Sequence, residues 1–262
     1  MTVRFAAVTH PGLVRPDNED ACLAVPPVFL VADGMGGHEG GERASGEVRR
    51  RFQESCAGEW LSGAEITRIV RRAADNIESL EHRGRPPGST VAGVALARYA
   101  GTPCWLVFNI GDSRVYLMRS GELRQISVDH SVGSHSGKGD RPRLTRALGA
   151  GLGSPVADQW LIRARVGDRM LVCTDGLSNA VAREQLAAAM VGDDDPQETV
   201  QRLLDEALAA GGRDNVSLAV VDCLEVIQVA GGELDDVMSL DESEEETVSW
   251  NHDDTIPDPE GK

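Results

Sequence analysis

The chain has no apolar run long enough to cross a bilayer, no CxxC pair, no GxxxxGK[ST] loop and no surplus of basic residues. Each absence closes a class of function. A spanning helix needs about 20 consecutive apolar residues, so a membrane role is not expected. The opening residues Met1–Val8 lack a basic n-region, a long h-region and a cleavage site, and a cytoplasmic protein is the expectation. Lys and Arg number 26 against 42 Asp and Glu, a formal net charge of −16. Residues 231–262 hold twelve acids and one base, a net −11 that leaves only −5 for the body. Neither part suits a binder of phosphate backbones, so nucleic acid is not an expected partner. The five cysteines, Cys22, Cys56, Cys104, Cys173 and Cys223, are odd in number and far apart. Most sit inside apolar runs and read as reduced thiols packed as small hydrophobes. Zinc held by thiolates is excluded on the same ground.

With 41% hydrophobic residues in 262, the chain has material for a sizeable core. Short runs rich in Val, Leu and aromatics, bounded by Gly, Asp, Asn or Pro, predict strands over 3–9, 28–32, 90–97, 105–110, 114–119, 161–165, 170–174 and 216–221. Gly111-Asp112-Ser113 and Ser120-Gly121 are expected to be hairpin turns. The stripe Ile66, Ile69, Val70, Ala73, Ile77 and Leu80 predicts a helix over 65–83 with its apolar face in the core. Helices are also expected over 39–56, 183–190 and 196–210, the last with Pro196 in its first turn. Strands flanked by helix pairs, without strict alternation, indicate an α+β layered domain. Ser131–Arg143 is glycine- and serine-rich and locally basic, a surface loop by composition. The acidic segment from Gly231 to Lys262 is expected to stay unfolded.

Four apolar strands carry an aspartate at one end, beside Gly or Asn: Asp33-Gly34, Gly111-Asp112, Asp175-Gly176 and Asp214-Asn215. Asn18-Glu19-Asp20 precedes the first buried strand. An Asp-Gly after a strand is often only a turn. Several carboxylates delivered to one edge, however, repel one another unless a cation sits between them. Carboxylate, carbonyl and water ligands without clustered His or Cys favour Mg²⁺ or Mn²⁺.

Arg15-Pro16-Asp17-Asn18-Glu19-Asp20, Asp33-Gly34-Met35-Gly36-Gly37-His38, Gly88-Ser89-Thr90, Gly111-Asp112-Ser113-Arg114, Leu144-Thr145-Arg146-Ala147-Leu148-Gly149, Thr174-Asp175-Gly176-Leu177 and Asp214-Asn215-Val216-Ser217 follow one another in that order. This set closely resembles the bacterial branch of the metal-dependent Ser/Thr protein phosphatases (PPM, type 2C), from about residue 3 to about 225. The resemblance implies a four-layer α-β-β-α sandwich, two antiparallel sheets flanked by helices, with a dinuclear metal centre at one end. It implies a catalytic domain over 1–228 and an acidic tail over 229–262. It implies Mn²⁺ or Mg²⁺, two per site, with Asp33 bridging them and the Gly34 carbonyl on one. Asp175 and Asp214 complete the first metal site, and Glu19 or Asp20 serves the second. Asp112 with Asp175 matches the pair that holds a third ion in bacterial members. Arg15 matches the arginine that grips the substrate phosphate. The implied activity is hydrolysis of phosphoserine and phosphothreonine on proteins by in-line attack of a hydroxide bridging the two cations. Asp33, Arg15, Asp175 and Asp214 carry it, and the natural partners are phosphoproteins and a Ser/Thr kinase. Bacterial members carry a longer, helix-containing flap where this chain has the short Ser131–Arg143. Substrate selectivity and the third metal are where that departure bears.

Other residues have plainer readings. His38 falls three residues beyond the place where animal-type relatives carry a histidine, here Met35, and is read as a hydrogen-bonding residue rather than a general acid. His10, His82, His130, His135 and His252 have no motif context and are expected to be solvated or loop histidines. Thr145-Arg146 is read as packing or hydrogen bonding, Asn215 as the group that orients Asp214, and Cys173 as core. The tail is read as a solubilising polyanion. Against that stand Thr247 and Thr255, each preceded by acids, as sites for acid-directed kinases, and Thr255 with Asp258 three residues on, once phosphorylated, as a site for a forkhead-associated domain. The tail folding back onto Lys138, Arg141 and Arg143 is a further reading. Two other functions stay open from the residues alone: hydrolysis of another phosphomonoester, and non-catalytic phosphoprotein binding. The intact Asp33, Asp175 and Asp214 argue against the second.

Overall fold

Strands that are apolar at every position need cover on both faces, and the architecture supplies it. The structure is a computed structural model that describes residues 1–37, 39–55, 58–82, 84–133, 143–152, 156–192, 194–227 and 237–240. The order of elements begins β1 (Thr2–His10), β2 (Asp20–Val25), β3 (Val28–Met35), α1 (Glu39–Ser55), α2 (Gly63–Glu78), β4 (Gly88–Ser89), β5 (Val91–Tyr99) and β6 (Thr102–Ile110). It continues with β7 (Arg114–Arg119), β8 (Glu122–Gln125), β9 (Ser131–Val132), β10 (Arg143–Leu144), β11 (Leu148–Gly149), β12 (Asp158–Arg163) and β13 (Arg169–Cys173). Then come α3 (Asp175–Ser178), α4 (Arg183–Met190), α5 (Pro196–Ala209), β14 (Val216–Glu225) and β15 (Val237–Ser239).

One sheet runs β1-β14-β13-β7-β8; the other runs β11-β4-β3-β5-β6-β12-β15, with β2 also on β3. Every described pairing is antiparallel. Alternation along each strand sorts the side chains into three buried layers. Phe29 and Val31 of β3, Trp105 and Val107 of β6, and Met170 and Val172 of β13 lie between the sheets. Val28, Leu30, Leu106 and Phe108 face α1 and α2, whose Phe52, Ile66, Val70 and Ile77 are buried with them. Leu171, Cys173 and Val220 face α4 and α5 through Leu186, Val200 and Leu203. This is the expected four-layer α+β sandwich. Helix α2 is started by Ser62, whose hydroxyl accepts from the Glu65 N–H while Glu65 returns to the Ser62 N–H at 2.8 Å, a capping box. The described cysteines are all free thiols, as expected, and Cys56 lies outside the described residues. Among the described residues no helix is long and apolar enough to cross a membrane.

Two expectations are corrected, and one strand is added. Gly111-Asp112-Ser113 is not a hairpin: both edges of β6 are taken by β5 and β12, so the chain crosses there from one sheet to the other, where β7 pairs with β13 and β8. The turn expected at Ser120-Gly121 does close a hairpin, with Arg119 opposite Glu122 and both turn residues left-handed. Strand β2 escaped the sequence reading because Asp20-Ala21-Cys22 is short and opens on a charge. Inside the segment expected to stay unfolded, Val237–Ser239 forms an edge strand on β12, with Leu161 opposite Met238. Met238 and Leu240 are apolar islands among acids, and Met238 is only 4% exposed in the core shared with α2. The rest of the acidic tail, with Thr247 and Thr255, lies outside the described residues, as do His38, His135, His252, Lys138 and Arg141.

Candidate metal centre

The site is built at one end of the sandwich, where strand ends deliver acids. Asp33 sits near the end of β3 and Asp20 opens β2, directly opposite it in the ladder. Asp175 follows β13 as the first residue of α3, and Asp214 precedes β14. Asp112 lies in the crossover between the sheets.

Hydrogen bonds tie these ends together. Thr174 donates its hydroxyl to Asp20 Oδ2 at 2.9 Å and its N–H to the Ser217 carbonyl at 2.9 Å, joining β2, β13 and β14 at one point. The Asp33 N–H donates to Thr90 Oγ1 at 3.0 Å, and Thr90 and Ser113 share a hydroxyl bond of 2.8 Å, so Asp33 and the Asp112 crossover are fixed to one frame. Gly34 donates its N–H to the Glu19 carbonyl at 3.1 Å, which also accepts from Ser45 Oγ at 2.6 Å. A side chain at Gly34 would run into the Glu19 and Gly41 carbonyls, so the close approach demands glycine.

Asp20, Asp175, Asp112 and Asp214 all raise the Asp33 carboxyl electrostatically. Burial is the largest cause and, with those four neighbours, holds Asp33 well above the usual carboxylate range. Asp20 is pushed up to about 7, by burial first, with Asp175 and Asp214 adding to it and the Ser217 and Thr174 hydroxyls opposing. Asp112 is pushed up to about 6, by burial and then by Asp175. Glu19 Oε1 lies beside Gly41 near the start of α1, and its charge acts on Arg15 together with those of Asp214 and Asp33.

Arg15 is the cation of this group. Its Nη2 donates to Asp214 Oδ2 at 2.8 Å, and Asp214, Glu19 and Asp33 all raise its pKa. Asn215 differs from its expected part. Its side chain donates to the carbonyls of Pro11 and Asp17, both at 2.9 Å, and accepts from the Glu19 N–H at 2.9 Å. It therefore clamps the loop that carries Arg15 and Glu19, and only its backbone N–H reaches the Asp214 carboxylate, at 3.0 Å. Cys173 is buried, its thiol pushed up to about 12 by burial, which leaves it a packing residue.

Mutually repelling, desolvated carboxylates around Asp33, beside a glycine backbone, form a donor set that fits a hard divalent cation. Among the described residues no three His, Cys, Asp or Glu side chains already close around one point. Residues 12–211 match the sequence model described as Protein phosphatase 2C. The chain belongs to the protein phosphatase 2C family. It is 34% identical over 246 residues to the serine/threonine protein phosphatase PstP of Mycobacterium tuberculosis, an alignment covering 86% of this chain and 46% of that protein. It thus spans about half the length of that relative. The crystal structure of the M. tuberculosis phosphatase PstP/Ppp superposes with a TM-score of 0.77 at 33% identity, over 86% of this chain and 100% of that one. The catalytic domain of PstP solved in complex with two manganese ions superposes with a TM-score of 0.74 at 32% identity, over 85% and 99%.

Sequence reasoning missed two parts of this 2C-type site. Thr174 was visible only as the residue before Asp175, and its bond to Asp20 spans 154 positions. His130 was set aside as a loop histidine, yet it is 6% exposed and bonded to the Gly111 backbone beside Asp112.

Proposed function

We propose that this chain hydrolyses phosphoserine and phosphothreonine on proteins, dependent on Mn²⁺ or Mg²⁺, and works in the cytoplasm opposite a Ser/Thr kinase. One observation carries the reading: a guanidinium, Arg15, stands against a cluster of mutually repelling carboxylates centred on Asp33. Such a site pairs cation-binding acids with a phosphate-binding base. In this reading Asp33, Gly34, Asp20, Asp175 and Asp214 hold two ions, Asp112 with Asp175 provides for a third, and Glu19 acts through water. Bound there, divalent ions supply an acidified water and neutralise charge on the phosphoryl oxygens.

The chain's own residues do the positioning. Arg15 presents donors matched to two phosphate oxygens at once. Asn215 fixes the loop that carries it. Thr174 holds the Asp20 carboxylate at a set angle. The PstP catalytic domain solved with two manganese ions supports the metal assignment, and the free thiols fit a reducing compartment. A forkhead-associated partner would read Thr255, which lies outside the described residues.

Hydrolysis of p-nitrophenyl phosphate and of a phosphothreonine peptide, with and without Mn²⁺, tests the proposal. Mn²⁺-dependent turnover of both supports it. Turnover of the small ester alone favours another phosphomonoester as substrate. No turnover beyond an EDTA control, with the peptide still bound, makes the chain a phosphoprotein-binding module.

A further inference from the structure

His130 is almost wholly buried, and both of its ring nitrogens are engaged. The Gly111 N–H donates to His130 Nδ1 at 3.1 Å, and the His130 N–H donates to the Gly111 carbonyl at 2.9 Å. The imidazole thus holds the N–H of the residue before Asp112, while the carbonyl of that residue is held by the His130 backbone and by Asn109 Nδ2 at 3.2 Å. Because Nδ1 accepts, the ring proton lies on Nε2, which donates to Asp158 Oδ2 at 2.8 Å. The other oxygen of Asp158 accepts from Arg146 Nη1 at 2.6 Å. Arg146 and the imidazole therefore converge as two donors on one carboxylate.

The surroundings hold the histidine from other sides. Its neighbour Asp129 is bound by Arg114 through Nε and Nη2, at 3.1, 3.0 and 2.7 Å, and by Gln125 at 2.9 Å. The His130 carbonyl accepts from the Thr145 N–H at 2.8 Å, beside the paired strands β9 and β10. The far end of the crossover is held by Ser113 on Thr90, which also holds Asp33.

We propose that His130 is a positioning residue for Asp112: oriented by Asp158 and Arg146, it fixes the Gly111 backbone and so sets the Asp112 carboxylate relative to Asp33. The inference rests on the metal-dependent reading above and extends it to a residue that touches neither ion nor substrate. It also makes the β9–β10 pair and Asp112 parts of one hydrogen-bonded unit, so a shift in that pair is felt at the metal cluster.

The test uses the full chain as His130→Ala, His130→Asn, Asp112→Asn and the double variant His130→Ala/Asp112→Asn. Mn²⁺ binding is titrated by the electron paramagnetic resonance signal of free Mn²⁺, peptide turnover is measured alongside, and ¹⁵N NMR of the wild-type imidazole reads the tautomer. The expected result is an unprotonated Nδ1 and a loss of Mn²⁺ affinity of about 10-fold or more in His130→Ala, in the range for partners that orient metal ligands. Asp112→Asn should then cost no further affinity on top of His130→Ala, because both act through one carboxylate. His130→Asn, whose amide oxygen can accept from Gly111, should recover part of the loss. Unchanged Mn²⁺ affinity with a lowered Tm would reduce His130 to a structural residue and overturn the proposal, as would additive losses in the double variant or a proton found on Nδ1. If His130→Ala fails to fold, His130→Asn and the tautomer decide. A wild type that binds Mn²⁺ but leaves the phosphopeptide intact sinks the function reading, while the Mn²⁺ and NMR results still judge this one.

Discussion

Asp20 and Asp33 face each other across the antiparallel β2–β3 ladder, so two carboxylates share one face of the sheet at its acidic end. Like charges directly opposite are destabilising, and here burial removes the water that would screen them. In the unfolded chain both groups titrate near the ordinary value of about 3.9. In the fold Asp20 titrates at about 7 and Asp112 at about 6.

Between about pH 4 and 7 the folded protein keeps protons that the unfolded chain has released, so stability falls as pH rises through that window. The Tm of EDTA-treated protein should therefore be lower at pH 7.5 than at pH 5.5. Added Mn²⁺, binding only the folded state, should raise Tm more at pH 7.5 than at pH 5.5. Thermal unfolding at the two pH values checks this, and a metal-free protein that is more stable at pH 7.5 would contradict it.

Asp33→Asn separates stability from function. The change removes the charge at the centre of the cluster while keeping its shape. Turnover should fall at least 10²-fold, about 2.7 kcal/mol of barrier, and Mn²⁺ affinity should fall with it. The EDTA-treated variant should melt above EDTA-treated wild type, since one buried carboxylate no longer repels its neighbours. Turnover above a tenth of wild type would remove Asp33 from the centre of the site.

The fold was legible because its strands advertise burial on both faces. Val28–Ala32 and Trp105–Ile110 are apolar without a break, and an acid at the end of each such run is conspicuous. What the sequence hid is long-range. Nothing local distinguishes the crossover at Gly111–Ser113 from a hairpin, because the choice depends on which strands already occupy the edges of β6. Asn215 sits beside Asp214, so proximity in sequence suggested that it orients that carboxylate. Its side chain instead reaches back about 200 positions to the loop that carries Arg15. His130 lacked a neighbour that marked it, because its partners Gly111 and Asp158 lie 19 and 28 positions away in the chain.

Arg15→Ala tests the phosphate-binding assignment. The Arg15–Asp214 pair is about one-third exposed on each side, so its loss should change stability by about 1 kcal/mol or less. KM for a phosphothreonine peptide should rise severalfold while Mn²⁺ content stays the same. Steady-state kinetics with metal analysis decide between this and a propping role, in which KM would hold and metal would be lost.

Met238 is buried against the helix-covered face of the larger sheet, and the Leu240 N–H donates to the Gln159 carbonyl at 2.9 Å. Gln159 in turn donates to Thr67 of α2 at 3.0 Å, so β15 closes a corner between strand and helix. Truncation after Ile227 removes this strand and exposes the edge of β12, whereas truncation after Leu240 removes only the acidic remainder. The shorter chain should melt lower than full length, and Met238→Ala should reproduce most of that loss, about 2–5 kcal/mol for a buried methionine. Truncation after Leu240 should leave Tm within a degree or so at moderate salt, since repulsion among the like charges it removes is screened there. Equal Tm values for the two truncations would mean that β15 adds nothing to the domain and that the fold ends at β14.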